Sequence, residues 1–292
     1  MPGRWELPPP ARVPAALRPH VAAMFGYAAT GLTPGVHRGL PSELLTLVIT
    51  MDRPLRTAPT ADAWAEGVRD TQWVTVGGLH TRAAMVEQPG SWAGVQLALH
   101  PVGVRALLGV PAADLPTGSW DARDLLGPEV DRVVDELHAA DGWSGRYAVV
   151  TSFLLRRARR VRQAREPAAP SAEVREAWRL LTHRRDLAVD DVARAVGYSR
   201  RRLTELVSAE VGHGPKTVQR LARFDAARRA VGAAAADGTT LAEVAVRAGY
   251  YDQSHLVRDF QAFAGLPPSQ WLAAELPNLQ AGQHHDRAAS PA

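Results

Sequence analysis

The sequence predicts an α+β protein: a β-rich domain closed by a helical hairpin, followed by an all-helical domain. Three observations carry this. Short β-branched and apolar runs, separated by Gly, Pro and Asp, fill residues 1–110, the pattern of an antiparallel sandwich or barrel. From residue 128 onward the apolar residues recur at helical spacing instead. One helical pattern is then stated twice between Val192 and Trp271.

In order along the chain, Leu44–Thr50 (LLTLVIT), Gln72–Val76 (QWVTV), Arg82–Glu87 (RAAMVE) and Gly94–His100 (GVQLALH) read as strands. Arg18–Ala29 (RPHVAAMFGYAA) fits a strand or a helix, and periodicity does not separate the two. Val130, Val133, Val134 and Leu137 form one helical stripe and Tyr147, Val150, Leu154 and Val161 another, with Ala140–Gly145 as the turn. The second helix ends in six arginines among ten residues, Arg156 to Arg165. Such a run is ordinarily a solvated face; contact with phosphate or an acidic partner is the sharper alternative. Two prolines interrupt helix in Glu166–Ser171 (EPAAPS). The expected division is therefore a β-rich domain over 1–165, a linker over 166–171, a helical domain over 172–276 and a disordered tail over 277–292.

Composition narrows the function classes. A chain of 292 residues accommodates about two domains, and 46% hydrophobic with 22% charged residues is a globular balance. The absence of cysteine excludes disulfides, thiolate nucleophiles and cysteine-ligated metals, and suits a reducing cytoplasm. MPGRWELPPP lacks the apolar core of a signal peptide, and no apolar run reaches the ~18 residues of a membrane helix. A cytoplasmic protein without membrane association is expected. The net charge is +4 and the pI 9.9, and Lys216 is the only lysine among 34 basic residues. Arginine binds phosphates and base edges bidentately, but a GC-rich coding sequence produces the same excess, so arginine content decides nothing alone. No phosphate-cradling glycine loop and no Gly-x-Ser-x-Gly elbow occurs, since Ser91 and Ser144 lack the flanking pair of glycines. Neither an enzyme nor a cofactor is predicted. His37, His80 and His100 form no close-spaced pair beside a carboxylate, and no metal site is predicted.

The repeat is the most informative feature. Val192–Val218 reads VARAVGYSRRRLTELVSAEVGHGPKTV, and Val244–Trp271 reads VAVRAGYYDQSHLVRDFQAFAGLPPSQW. Ala193 matches Ala245, Gly197-Tyr198 matches Gly249-Tyr250, Leu203 matches Leu256, Val207 matches Phe260, Gly212 matches Gly265 and Pro215 matches Pro268, with one extra residue in the second copy. The alanine lets two helices cross closely. The glycine ends one helix in a sharp turn, Ser199 or Asp252 caps the next, and that helix buries one stripe: Leu203, Val207 and Val211, or Leu256, Phe260 and Phe263. Helix, glycine turn and striped helix make a helix-turn-helix. The residues that change between copies lie on the outward face of the second helix, where such a motif meets base edges. Two chemically unlike faces predict an asymmetric site rather than a palindrome for one subunit.

Residues from about Ser171 to Glu275 resemble the DNA-binding domain of the AraC/XylS family of transcription regulators, most recognisably in AVRAGYYDQSHLVRDFQAFAGLPPSQW. The resemblance implies two helix-turn-helix units joined by a long helix, here from about Pro215 to Val231. It implies base-facing positions at Arg201, Arg202, Thr204 and Glu205 on the first recognition helix, and at Gln253, Ser254, Val257 and Arg258 on the second. Ser199, Arg200, Lys216, Arg220 and His255 would lie near phosphates, and Arg223 would brace the two units. Three consecutive arginines make the first unit more positive than is usual, and Val257 stands where relatives often carry a polar residue.

The front half resembles, more weakly, the cupin-like β-rich sensor domains that precede this unit. Ala98–Leu115 (ALHPVGVRALLGVPAADL) looks like a strand, a His-Pro turn, a short helix through Ala106, Leu107 and Leu108, and a stop at Gly109. The resemblance implies binding of a small-molecule effector and dimerisation. Arg82, Gln96 and His100, on or beside predicted strands, and Trp92 are the candidate pocket groups. Trp64, Trp73, Trp92 and Trp120 are otherwise expected in the core. The expected partners are double-stranded promoter DNA, a small effector, RNA polymerase and a second copy of the chain. DNA-repair alkyl transfer, which accompanies this DNA-binding unit in some proteins, needs a cysteine acceptor that is missing here. A binder that regulates by protein contact and has lost DNA binding is the remaining alternative.

Overall fold

The computed structural model describes residues 3–115, 118–164 and 169–275. Ten strands occupy the first part: β1 (Arg4–Glu6), β2 (Val21–Thr30), β3 (Gly35–Gly39), β4 (Leu45–Thr50), β5 (Leu55–Ala58), β6 (Asp70–Gln72), β7 (Val74–Gly77), β8 (Ala84–Gln88), β9 (Ser91–Leu99) and β10 (Ser119–Asp121). They form two antiparallel sheets, ordered β1-β2-β9-β4-β7-β10 and β3-β8-β5-β6. Short helices α1 (Ala61–Ala65), α2 (Arg105–Leu108) and α3 (Ala122–Leu126) fill the connections. Alternation along β4, β7 and β9 turns Leu45, Leu47, Ile49, Val74, Val76, Val95, Leu97 and Leu99 inward, all almost fully buried. Each such side chain contributes ~1.5–3 kcal/mol by leaving water.

Arg18–Ala29 resolves as a turn through His20 and strand from Val21 onward. Pairing with β9 from Val21–Leu99 to Thr30–Ser91 holds it extended, with β1 on its other edge. The predicted strand Gln72–Val76 is two strands: Gln72 closes β6 in the small sheet and Val74 opens β7 in the large one, with Trp73 at the crossover. Neither Trp73 nor Trp120 joins the core, contrary to expectation. They are 42% and 39% exposed, and Trp64 is half-buried beneath the Arg69 guanidinium, 3.4 Å from its ring centroid.

The expected helical hairpin is α4 (Glu129–Ala139) and α5 (Gly142–Gln163). Its seat on β2 depends on Gly26, where a Cβ atom would lie 2.3 Å from the Trp143 ring. Tyr147 Oη accepts from Gly26 N at 2.8 Å, and the Trp143 indole donates to Glu6 at 2.7 Å. The arginine run on α5 is partly spent inside the fold. Arg156 and Arg160 pair with Glu129, and buried Arg157 donates to the Leu107 carbonyl.

Helices α6 (Ala172–His183), α7 (Val189–Ala195), α8 (Arg200–Val211), α9 (Pro215–Asp237), α10 (Leu241–Arg247) and α11 (Gln253–Ala264) follow, with a last helical segment over 268–275. The joining helix α9 runs past the expected Val231 to Asp237 and stops at left-handed Gly238, because four successive alanines, the best helix formers, follow Gly232. One buried core runs from the sheets through α6, α7 and α8 to Val218; a second gathers Leu221, Phe224, Phe260, Phe263 and Trp271. The first helix-turn-helix thus shares a core with the β-rich region, whereas the second takes from that region only Leu40, packed at its edge, among the described residues. Residues 166–168 of the expected linker, Arg165 before them and the expected tail over 277–292 lie outside the described residues. Among the described residues no helix is long and apolar enough to cross a membrane.

Candidate nucleic-acid interface

Both repeat copies fold as helix, turn and helix. In the first, α7 ends at Gly197 with φ +75°, and Ser199 Oγ accepts from Arg202 N at 3.2 Å to start α8. In the second, a reciprocal Thr240–Glu243 capping box starts α10, Gly249 turns with φ +82°, and Asp252 accepts from His255 N at 2.7 Å. Positive φ at these two turns penalises any side chain by roughly 1 kcal/mol. Leu203, Val207 and Val211 are buried under α8, and Leu256, Phe260 and Phe263 under α11. Phe224 of α9 packs on Phe260 and Phe263 at 5.0 and 4.8 Å between ring centroids.

The changed residues lie outside these cores. On α8, Arg200, Arg201, Arg202, Thr204 and Glu205 are all exposed, Arg201 by 91% of its side chain. Arg200 pairs with Asp190 at 3.0 Å, while Arg201 and Arg202 share Glu205 at 3.0 and 3.5 Å. Thr204 donates to the Arg200 carbonyl. Exposed pairs of this kind are each worth ~0–1 kcal/mol, so a phosphate or guanine displaces the carboxylates at little cost. On α11, Gln253, Ser254 and Arg258 are exposed, whereas Val257 and His255 are half-buried. The His255 ring stands edge-on to Tyr250 at 5.0 Å, which limits its reach toward a phosphate. Lys216, exposed at the start of α9, and Arg258 have no ion-pair partner among the described residues.

Arg220, expected near phosphates, is engaged within the fold. Its guanidinium meets Asp259 of α11 at 2.7 Å and lies 4.8 Å over the Phe263 ring. Arg223, one turn further along α9, lies over the Tyr250 ring at 5.7 Å. The two arginines brace α9 against the second unit. Burial, then the Asp259 carboxylate, push the Tyr250 hydroxyl pKa upward, so the brace holds a neutral phenol.

Residues 192–274 match the family profile described as "Helix-turn-helix domain", a span from the middle of α7 into the last helical segment that holds both recognition helices. Residues 192–274 thus carry an AraC-type helix-turn-helix domain. The C-terminal domain of AraT, a response regulator from Geobacillus stearothermophilus, is 22% identical, covering 37% of this chain and 88% of that one with a TM-score of 0.34. An apo ToxT variant from Vibrio cholerae is 9% identical over 86% of this chain and 97% of its own, with a TM-score of 0.50. Unsaturated-fatty-acid-bound ToxT from the same organism is 10% identical over 85% and 94%, with a TM-score of 0.48. No curated protein matches the chain. β-rich sheets followed by a helical C-terminal domain are the architecture shared with ToxT, and residues 192–274 supply its helix-turn-helix region.

The β-rich region grips both helix-turn-helix units. Arg105 of α2 binds Glu210, near the end of α8, at 2.6 and 3.4 Å, and His213 contacts the Leu79 carbonyl at 3.1 Å. At the second unit, Glu275 is bound by His37 Nδ1 at 2.6 Å and by Arg38 N at 3.1 Å, both from β3. Glu43, just before β4, stands beside Asp225 of α9, which also pairs with Arg228 and Arg229. None of these partners was legible in the sequence, because each contact joins segments more than a hundred residues apart. The one available signal was Glu43 itself, a lone acid heading the apolar run LLTLVIT.

The four effector candidates do not converge. Arg82 is exposed in a turn, and Gln96 lies mid-strand between Phe25 and Val48. Trp92 lines a cavity of about 200 Å³ with Tyr27 and Arg56, whereas His100 lines a larger one of about 400 Å³. The larger cavity lies between the regions: Val21, Met24, Leu44 and Glu43 on one side, Trp178, Thr182 and His183 of α6 on the other, with Arg12 and Arg18 also lining it. Burial first, then the neighbouring His183 and His20, lower the His100 pKa, leaving a neutral imidazole in the wall.

Glu43 yields a pH prediction. Burial first and the Asp225 carboxylate second push its pKa up to about 8, against the pull of Arg229. From the ordinary carboxyl range up to about pH 8 the folded chain holds a proton that the unfolded chain has released. Stability therefore falls as pH rises through that window. Glu43→Gln is expected to raise the melting temperature at pH 8 and to flatten its slope between pH 5 and 8; an unchanged slope places the titration elsewhere.

Proposed function

We propose that the protein is a one-component transcriptional regulator whose two recognition helices, α8 and α11, enter adjacent major-groove segments of promoter DNA. The observation that carries this is a duplicated scaffold with unlike exposed faces: Arg201, Arg202, Thr204 and Glu205 on one, Gln253, Ser254 and Arg258 on the other. Arginine pairs with guanine, glutamine with adenine, and serine or threonine with either. Val257, half-buried, offers at most a thymine-methyl contact. Arg200 and Lys216 take phosphates, with Ser199 at the cap beside them. A second copy of the chain would set four such helices on repeated half-sites.

The effector, on this reading, enters the cavity between the β-rich region and α6. The wall residue Glu43 stands against Asp225 on the helix that joins the two units, so occupancy changes how both are presented. Neutral His100, the Arg12 and Arg18 side chains and an apolar floor set the chemistry the cavity offers. The Arg105–Glu210 and His37–Glu275 contacts are the other points through which the β-rich region acts.

Genome-wide mapping of bound DNA, with and without candidate effectors, tests the function. Discrete sites near promoters that change with effector support it. Failure to retard any fragment from its own upstream region leaves regulation by protein contact alone. Lys216→Ala is expected to weaken binding to all sequences alike and to lower the slope of log affinity against log salt by about 1. A sequence-selective loss instead makes Lys216 a base contact.

A further inference from the structure

The two turns differ by one residue, and that residue is Tyr251. Between Gly197 and the cap Ser199 lies only Tyr198; between Gly249 and the cap Asp252 lie Tyr250 and Tyr251. Tyr198 is half-buried and Tyr250 is 4% exposed, stacked with His255 and lying beneath Arg223. The scaffold role of the shared tyrosine is therefore filled. Tyr251 is surplus to it: 91% exposed, more than any other large hydrophobic residue described, with no hydrogen bond or ring contact among the described residues. It directly precedes the cap of α11, on the approach to exposed Gln253 and Ser254, with exposed Arg247 nearby in the chain.

The residue before a recognition helix lies over the wall of the groove that the helix enters, where phosphate oxygens line the edge. Tyrosine suits that place. Its ring is rigid and ordered at small entropic cost, and its hydroxyl donates to a phosphate oxygen without carrying charge. We infer that Tyr251 is a positioning residue for DNA binding, its hydroxyl donating to a backbone phosphate beside the groove segment entered by α11.

The inference rests on α11 being a groove-entering helix, so the full-length chain is tested with Arg258→Ala in parallel, on cognate and unrelated duplexes over a range of salt. Tyr251→Phe is expected to lower affinity roughly ten- to a hundredfold on both duplexes, the scale of one hydrogen bond to a charged acceptor. The salt slope stays that of the unaltered chain, since a neutral donor releases no counterion; this separates Tyr251 from Lys216. Melting temperature is unchanged, because nothing packs on the ring. Tyr251→Ala loses at least as much affinity as Tyr251→Phe. Wild-type affinity in both variants, with Arg258→Ala impaired, overturns the inference and leaves the reading of α11 intact. Wild-type affinity in all three overturns the reading of α11 as well. Normal DNA binding with lost promoter activation assigns Tyr251 to a protein contact instead, which also overturns it.

Discussion

Glu210→Ala is expected to cost about 3–5 kcal/mol of folding stability, the range for removing one partner of a buried ion pair. The Glu210 side chain is 8% exposed and that of Arg105 16%, with two oxygen–nitrogen contacts between them at 2.6 and 3.4 Å. Most of the loss comes from stranding the guanidinium away from water. Arg105→Ala together with Glu210→Ala should therefore cost less than the sum of the single changes, and thermal melts of the four proteins measure that difference. Additive losses would mean that the two side chains are not coupled. The same pair is one of the contacts by which the β-rich region holds the first helix-turn-helix, at Glu210 beside Val211, the last residue of α8, while Gly212 packs on Ala113. The double variant is thus expected to bind DNA with an altered response to effector even where its stability recovers.

Arg258→Ala is expected to weaken binding to the cognate site by about 1–3 kcal/mol and to relax preference at one base position. Arg258 is exposed on α11 and has no ion-pair partner among the described residues, so its removal leaves the fold intact. That separates it from Arg220, also exposed, whose guanidinium braces Asp259 and Phe263. Arg220→Ala is a stability change first. Competition binding against single-base variants of the site reads the effect of Arg258→Ala; equal loss on every variant would place Arg258 on the backbone.

The second half of the fold was legible because its determinants are local. Gly197 and Gly249, the caps Ser199 and Asp252, and stripes three or four residues apart specify the two motifs within about twenty-five residues each. The hairpin α4–α5 was legible for the same reason. The β-rich region was read in outline only. Strands β1, β3, β5 and β10 span three to five residues each, too short for alternation to register, and Val21–Ala29 became strand only through its partners β1 and β9. At the site, outward-facing residues followed from the stripe they oppose, since a helix that buries Leu256, Phe260 and Phe263 must expose Ser254 and Arg258, while Gln253 is exposed as the first residue of α11. The pairing of Arg220 with Asp259 was not legible because the two lie thirty-nine residues apart in sequence. The cavity between the regions was invisible for a like reason: Glu43, His100 and Trp178 share a wall that no spacing encodes.

The central claim is that one chain reads two unlike, neighbouring stretches of duplex. The most direct measurement is base-by-base substitution across the bound site, performed with the unaltered protein, Arg201→Ala and Arg258→Ala. Each variant is expected to relax a different position, the two lying about 10 base pairs apart, one helical turn, within an asymmetric element. Relaxation of a single shared position by both, or base preferences untouched by either, would contradict it.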